Sequence, residues 1–248
     1  MRKIVFFTGA GMSKESGLPT FRGDGGIWNE LDVEAVASAR SWYCGRRRDC
    51  KERRQVMLDF FNPIRRSIME HEPNAGHRII AEFEGCFNVT VITQNGDDYH
   101  ERAGSSKVIH IHGEALKNTS SANPYNPIPI DYDSPDINIG DKAPDGSQIR
   151  PFVIFFDENI DRNLWNDAVR ECREADYFVV VGSSMVVFPA ADLIKKIKHD
   201  CQLVVIDPSD VELPGNCNKA FTHIKCIASV GLNRLKERLI KQGDKDIS

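Results

Sequence analysis

Six short apolar runs punctuate this chain, and they restrict its fold more than any other feature. Ile4–Thr8, Val89–Thr93, Lys107–Ile111, Phe152–Phe156, Tyr177–Val181 and Leu203–Ile206 are continuous or nearly continuous in apolar residues rather than alternating. A strand with one wet face alternates, so unbroken runs of this length belong to strands covered on both faces. Helix-like stretches fill the gaps: Pro73–Glu84, with Ala75, Ile79, Ile80 and Phe83 along one side, then Arg162–Ala175, Pro189–His199 and Gly231–Gln242. Strands alternating with helices predict an α/β fold, a doubly wound parallel sheet of the Rossmann-like kind.

Two segments break the alternation. Residues 24–72 are rich in charge and helix formers, with basic clusters at Arg46–Arg48 and Arg53–Arg54, and residues 118–149 are rich in Asn, Pro, Asp, Ser and Gly. Insertions into an open sheet form a second lobe, and the crevice between lobes is a natural ligand site. The expected division is one domain over residues 1–248. Its large lobe takes in about 1–23, 73–117 and 150–248, and its small lobe about 24–72 and 118–149.

Charge and cysteine content exclude several classes of function. The chain carries 32 Lys plus Arg against 36 Asp plus Glu, a net charge of −4, which argues against a general nucleic-acid binder. The apolar runs are too short to span a bilayer. Met1-Arg2-Lys3 passes directly into a strand-like run rather than a signal-peptide core, so a cytoplasmic protein without membrane association is expected. The seven cysteines (Cys44, Cys50, Cys86, Cys172, Cys201, Cys217 and Cys226) are scattered, and none is spaced as Cys-x-x-Cys. Reduced thiols, several buried, are expected, with neither a disulfide framework nor a zinc ribbon.

The first run leads straight into Thr8-Gly9-Ala10-Gly11-Met12-Ser13. Glycines after the first strand let the backbone approach a pyrophosphate, although Ser13 and Lys14 do not continue a dehydrogenase Gly-x-Gly-x-x-Gly. Gly17-Leu18-Pro19-Thr20-Phe21-Arg22-Gly23 follows at once. Thr93-Gln94-Asn95-Gly96-Asp97 ends the second strand, and His112-Gly113 the third. Arg150-Pro151 opens the fourth, and Gly182-Ser183-Ser184 ends the fifth. All but Arg150-Pro151 fall at or beyond a strand's carboxyl end, where open α/β sheets bind ligands.

Taken together, these motifs resemble those of the sirtuins, the NAD-dependent protein lysine deacylases, from about residue 3 to 230. The stretch Asp97–Gly104 is more similar to bacterial members than to eukaryotic ones. The resemblance implies removal of acyl groups, acetyl foremost, from protein lysines, giving nicotinamide, free lysine and O-acyl-ADP-ribose. NAD is the implied cofactor, an acylated lysine of a protein or peptide the implied partner, and a monomer the expected state. Rival readings are mono-ADP-ribosyl transfer, NAD hydrolysis, or a weakly catalytic NAD-sensing module. Such chemistry passes through an electron-poor transition state and needs desolvation, orientation and one base for a ribose hydroxyl.

The resemblance also assigns roles residue by residue. His112 is the expected base, with His110 its rival on the same strand face. Asn95 and Asp97 orient nicotinamide and ribose, and Gln94 contacts ribose, although Asn-Gly also makes an ordinary turn. Gly9, Ala10, Gly11, Ser13 and Pro19 belong to the cofactor loop. Phe21 shields the ribose from water, and Arg22 neutralises phosphate or orients Asp97. Gly182, Ser183 and Ser184 face phosphate and ribose oxygens. Asp207 accepts from the adenosine ribose or caps the next turn, and Ala228 completes the set. The peptide should lie as an added strand against Phe156, Asp157, Glu158, Met185 and Val186.

The chain departs from the family's patterns at five places. No cysteine lies between His112 and Arg150, where sirtuins carry two Cys pairs on a structural zinc, so no metal is expected. The family usually has a branched apolar residue at Gly96 and Gly at Asp157, and more often Thr at Ser183. Members preferring acidic acyl groups carry Tyr and Arg three residues apart in the helical lobe. Here Phe61 stands with Ile64 and Arg65, without the hydroxyl and with the Arg out of register.

Overall fold

The computed structural model describes residues 1–21, 26–29, 31–45, 47–215 and 217–243, with side chains described through 240. Nine strands are formed among these residues: β1 (Lys3–Thr8), β2 (Asn88–Thr93), β3 (Val108–His110), β4 (Gly113–Ser120), β5 (Pro127–Pro129), β6 (Ile149–Val153), β7 (Tyr177–Val181), β8 (Gln202–Ile206) and β9 (Phe221–Ile224). The α-helices are α1 (Ala10–Ser13), α2 (Val33–Ala37), α3 (Ala39–Trp42), α4 (Cys50–Glu70), α5 (Ala75–Glu82), α6 (Tyr99–Arg102), α7 (Arg162–Glu174) and α8 (Ala228–Gly243).

Six strands form one parallel sheet in the order β3-β2-β1-β7-β8-β9. The apolar runs are unbroken because both faces are covered. Val5, Phe7, Phe178, Val180, Leu203 and Val205 join one core with α7. Ile4, Phe6, Tyr177, Val179, Val204 and Ile206 join the other with α5 and α8. The chain winds outward from β1 through β2 and β3 on one side and from β7 through β8 and β9 on the other. The order therefore reverses between β1 and β7, and crevices at such a reversal bind ligands.

The second sheet is antiparallel, in the order β5-β4-β6. Here one expectation fails. Phe152–Phe156 is not a strand of the parallel sheet. β6 begins at Ile149 and pairs with β4, Gly113 opposite Val153. A Cβ on Gly113 would stand 2.3 Å from the Phe152 carbonyl oxygen, so His112-Gly113 lets the strands close. The apolar run instead continues into an aromatic core, where Phe155 meets Trp42 and Phe61. The sixth parallel strand is β9, unmarked in sequence because it lies at the edge and Phe221 and Thr222 are exposed.

Helix limits also shift for physical reasons. The Pro73–Glu84 stretch is helical from Ala75, because Asn74 caps it and His77 completes a capping box. Pro189–His199 holds only a 3₁₀ helix over Ala190–Lys196, in which the Asp192 N–H reaches back three residues to the Pro189 carbonyl. The last helix starts at Ala228, earlier than expected. Glu15, distant in sequence, accepts from the Ser229 N–H at 3.0 Å and satisfies a donor of its first turn.

Helix α4 is held to β4 and to the segment before β6 by polar side chains. Asn62 pairs with the Ile137 backbone as a strand would, donating at 2.9 Å and accepting at 3.0 Å. Arg65, fully buried, donates to the carbonyls of Ala115, Lys117 and Pro135. At the end of β4, the Ser120 hydroxyl meets the Asp145 carboxylate and Ser147 Oγ, and it accepts from the Ala122 and Asn123 N–H groups.

The cysteine expectation needs a correction. Cys44 and Cys50 form a disulfide. The turn between α3 and α4 folds back and brings their Cα atoms to 5.4 Å, within the range a disulfide spans. Cys172 and Cys201 do lie buried as free thiols, and burial pushes them up to about 12 and about 11. No helix among the described residues is long and apolar enough to cross a membrane. No group of three or more His, Cys, Asp or Glu there is placed to hold a metal ion.

Candidate active site

The loops after β1, β2 and β7 converge at the carboxyl edge of the sheet, on the reversal between β1 and β7. Two of them touch backbone to backbone. A Cβ on Gly11 would stand 2.7 Å from the Gly182 Cα, and one on Gly9 would stand 2.6 Å from the Gly182 oxygen. Gly182 has φ of 58°, a left-handed conformation that glycine adopts without strain. The Gly11 N–H donates to the Gly182 carbonyl at 2.9 Å.

The β2 loop is joined to the β1 loop by side chains. Asn95 Nδ2 donates to the Gly9 carbonyl at 3.1 Å and to Ser13 Oγ at 3.0 Å, and Ser13 Oγ donates to Asp97 Oδ2 at 2.8 Å. All three side chains are buried. Burial pushes the Asp97 carboxyl up to about 6, with Ser13 and His110 opposing that rise. Gly96 explains one departure noted above. A Cβ there would come within 3.2 Å of Ala115 Cβ, and the Ala115 N–H donates to the Gly96 carbonyl at 2.8 Å. The missing side chain lets β4 close on the turn.

The two histidines of β3 and its end are in different states. Both ring nitrogens of His110 are engaged, Nδ1 with the Asn95 carbonyl at 3.0 Å and Nε2 with Glu101 at 2.8 Å. His112 is partly exposed. Burial pulls its imidazole down to about 4, against a hydrogen bond to the Gln94 backbone. At neutral pH the His112 ring is uncharged and able to take up a proton, whereas His110 has no nitrogen to spare.

The set of groups gathered here (backbone amides at glycines, hydroxyls, a side-chain amide, one buried carboxylate and a neutral imidazole) fits a dinucleotide, whose pyrophosphate needs close backbone approach. The Sir2 family matches residues 9–189. The chain belongs to the Sir2 family. It is similar to the NAD-dependent protein deacylase of Bacteroides thetaiotaomicron, 42% identical over 97% of this chain and 99% of that one. The protein of the same description from Helicobacter pylori is 36% identical over 97% and 95%. Among solved structures, a Sir2 homologue complexed with ADP-ribose superposes with a TM-score of 0.82 at 30% identity, covering 98% of this chain and 93% of that one. A Sir2 protein bound to a propionylated peptide gives 0.74 at 26% identity, over 96% and 93%.

The other residues expected at the site of this Sir2 chain are distributed as follows. Ser183 is buried, accepting from Gln94 Nε2 at 2.8 Å, whereas Ser184 and Pro19 are exposed. Ala10 is half-buried and Ala228 buried, at the start of α1 and α8. Asp207 accepts from the Ser209 N–H at 2.9 Å and so caps its turn. Arg22 lies outside the described residues. Phe21 stacks on Trp28, which in turn stacks on Phe60 and meets Phe156 edge-on. Trp28 was not singled out from the sequence, and only its aromatic character inside a charged insertion marks it.

Phe156 and Val186 are exposed, Met185 is buried with φ of 56°, and Asp157 has φ of 68°. The family's usual Gly at the Asp157 position thus corresponds to a left-handed backbone that Asp tolerates better than most residues. Glu158 is turned inward. Its carboxylate pairs with both terminal nitrogens of fully buried Arg150 and accepts from the Phe155 N–H at 2.8 Å. Arg150 also stacks over the Phe155 ring, 3.7 Å from its centroid. The Arg150-Pro151 motif therefore fastens the loop that carries Phe156 and Asp157.

Behind the site, His77 and His100 are fully buried, their rings 4.8 Å apart. Burial pulls His77 down to about 3 and His100 well below its ordinary range. With His112 they form three rings that are neutral when folded and would take protons near 6.5 when unfolded. The stability they contribute is complete above 6.5 and is lost as pH falls toward 4, by up to about 1.4 kcal/mol per pH unit for each ring. Asp97 acts oppositely, since its raised pKa gives stability that is present below 3.8 and declines as pH rises to about 6. Three rings outweigh one carboxyl, so the melting temperature should fall as pH is lowered from 6.5 to 4.5. A melting temperature level across that window would show the rings to be charged or hydrated in solution.

Proposed function

We propose that this protein is an NAD-dependent protein lysine deacylase. The observation that carries the reading is the hydrogen-bonded chain Asn95–Ser13–Asp97, which joins the glycine loop to the β2 turn at the sheet's reversal. Similarity to proteins named NAD-dependent protein deacylase supports it. So does likeness to Sir2 structures holding ADP-ribose and an acylated peptide. On this reading the large lobe, about 1–23, 73–117 and 150–248, binds NAD, and the small lobe, about 24–72 and 118–149, closes the crevice.

Bound NAD would supply an electrophilic ribose carbon and a leaving nicotinamide. The glycines at 9, 11 and 182 give the pyrophosphate close backbone approach. Asn95 and Asp97 hold the nicotinamide side in a buried setting, where polar interactions are strong. His112, neutral at physiological pH, takes a proton from a ribose hydroxyl once the acyl oxygen has been positioned. Phe21 and Trp28 form an apolar cover that excludes water. The acylated lysine enters along Phe156, Asp157, Met185 and Val186, with Arg150 and Glu158 fixing that loop. We take the enzyme to be a cytoplasmic monomer without membrane or nucleic-acid partners, in keeping with its mild acidity.

His112→Ala should lower peptide-dependent nicotinamide release by roughly 10²–10⁴-fold, with NAD affinity little changed by calorimetry. Near-full turnover in the variant would remove His112 from the role of base. Release from NAD without peptide would instead favour NAD hydrolysis.

Acyl choice follows from α4. Phe61 offers a ring without a hydroxyl, and the Arg65 guanidinium is spent on three backbone carbonyls. An acidic acyl group would therefore bury an unpaired carboxylate, which is costly. We expect a higher kcat/KM for acetyl-lysine than for succinyl-lysine peptides. The reverse order would mean that a cation reaches the pocket by another route.

We also take the enzyme to be zinc-independent. Residues 113–149 contain neither Cys nor His, and the contacts of Ser120 with Asp145 and Ser147 tie together the turns at the tip of the lobe. Thermal melts with and without EDTA should coincide, and elemental analysis should find no bound zinc. Stoichiometric zinc with a large drop in melting temperature in chelator would overturn this.

A further inference from the structure

His110 is the buried group that the mechanism above leaves unused. Its side chain is only 6% exposed. Its two nitrogens lie 3.0 Å from the Asn95 carbonyl oxygen and 2.8 Å from the Glu101 carboxylate. A carbonyl only accepts, and so does an ionised carboxylate, so both ring nitrogens must carry hydrogen. A ring protonated at both nitrogens is a cation. It sits on β3, two residues before His112, and reaches the turn that carries Asn95 and Asp97.

We propose that His110 is a positioning residue for the reaction. Held by Glu101, its imidazolium fixes the Asn95 carbonyl and turns a positive charge toward Asp97. The role rests on the reading that Asn95 and Asp97 serve the cofactor pocket. The Asn95 carbonyl that His110 holds directly precedes Gly96, whose own carbonyl is held by the Ala115 N–H of β4. The turn is also held by the Asn95 N–H on Thr93 Oγ1 at 3.0 Å, and by the Asn95 and Asp97 side chains through Gly9 and Ser13. None of those partners is a cation, and His110 supplies one.

The electrostatics agree with the geometry. Burial pulls the His110 imidazole down, but Glu101 on α6, then Glu114 on β4 and the Asn95 carbonyl, outweigh it and raise it overall. Neutral His100 on α6 also faces it, and Lys117 on β4 pairs with Glu114 and faces Glu101. Around Asp97 stand His110, Asp98, the Ser13 hydroxyl and the Tyr99 N–H. His110 is the cation in that set. In the role given it here Asp97 acts as the carboxylate, and its pKa lies above that of His112, so it sets the acid limb of the rate profile. Removing His110 must raise the Asp97 pKa and move that limb to higher pH.

The test compares kcat/KM for NAD from pH 5 to 9 in wild type, His110→Gln, Glu101→Gln and the double variant, all with acetyl-lysine peptide. His110→Gln should shift the acid limb upward by about one pH unit. Glu101→Gln should shift it in the same direction, and the double variant should shift no further than His110→Gln. A packing role would lower stability and leave the limb where it was. Nitrogen-15 NMR of the histidine rings gives a reading that needs no turnover. It should show His110 doubly protonated at pH 7 in wild type and losing that state in Glu101→Gln, whose side chain is 42% exposed. A neutral His110 at pH 7, or an unmoved acid limb in folded His110→Gln, would overturn the proposal. A wild type that releases no nicotinamide from NAD would refute the functional reading itself and this role with it, whatever the ring's protonation.

Discussion

The contact on which the rest of this molecule depends is made between atoms that bear no side chains. Where the sheet order reverses, the loop after β1 and the loop after β7 meet through Gly9, Gly11 and Gly182. A Cβ on Gly182 would fall 2.4 Å from the Met12 nitrogen. Both loops can then end their strands at the same level and present backbone to the crevice. A larger residue at any of the three would push the loops apart and shift Ser13, and with it the hydrogen bonds to Asn95 and Asp97. The placement of the polar groups thus follows from close packing of backbone rather than from attraction among them.

That polar cluster is costly to bury, and the surrounding structure shows how the cost is met. Asn95, Ser13 and Asp97 satisfy one another, and His110 is satisfied by one backbone and one side-chain acceptor. Arg150 answers Glu158 with two parallel hydrogen bonds and lies on an aromatic face. Buried networks of this kind are stable only when nearly every member has a partner. Rigid placement follows from that requirement. His112, by contrast, keeps partial exposure and a hydrogen bond to the Gln94 backbone.

Much of this was legible in the sequence, for reasons that can be named. Tyr177–Val181 reads as a strand buried on both faces because its residues divide strictly between two cores. The glycine loop, the Gln94–Asp97 turn and His112-Gly113 were found because they follow such runs. What was missed depends on contacts between distant residues. Phe152–Phe156 looks like its apolar peers, yet it leaves the main sheet because Gly113 admits β6 beside β4. The start of α8 is set by Glu15, more than two hundred residues away. The pairing of Cys44 with Cys50 depends on a turn that no Cys-x-x-Cys spacing announces. The protonation of His110 could not be read without knowing that Glu101, on α6, comes round to meet it.

Helix α4 and the small antiparallel sheet are brought together from segments far apart along the chain. Asn62 reaches Ile137, and Arg65 reaches Ala115 and Pro135, across 50 to 75 residues. Contacts of that span must close long loops before they return any free energy, which slows their formation. The parallel sheet is built from strands still farther apart, with Ile4 of β1 pairing with Tyr177 of β7. During synthesis, α4 leaves the ribosome well before its carbonyl partners exist, and it must wait with its apolar side uncovered. Helix α4, which the finished protein ties to β4 through Arg65, is therefore also a stretch of the nascent chain that needs protection from aggregation.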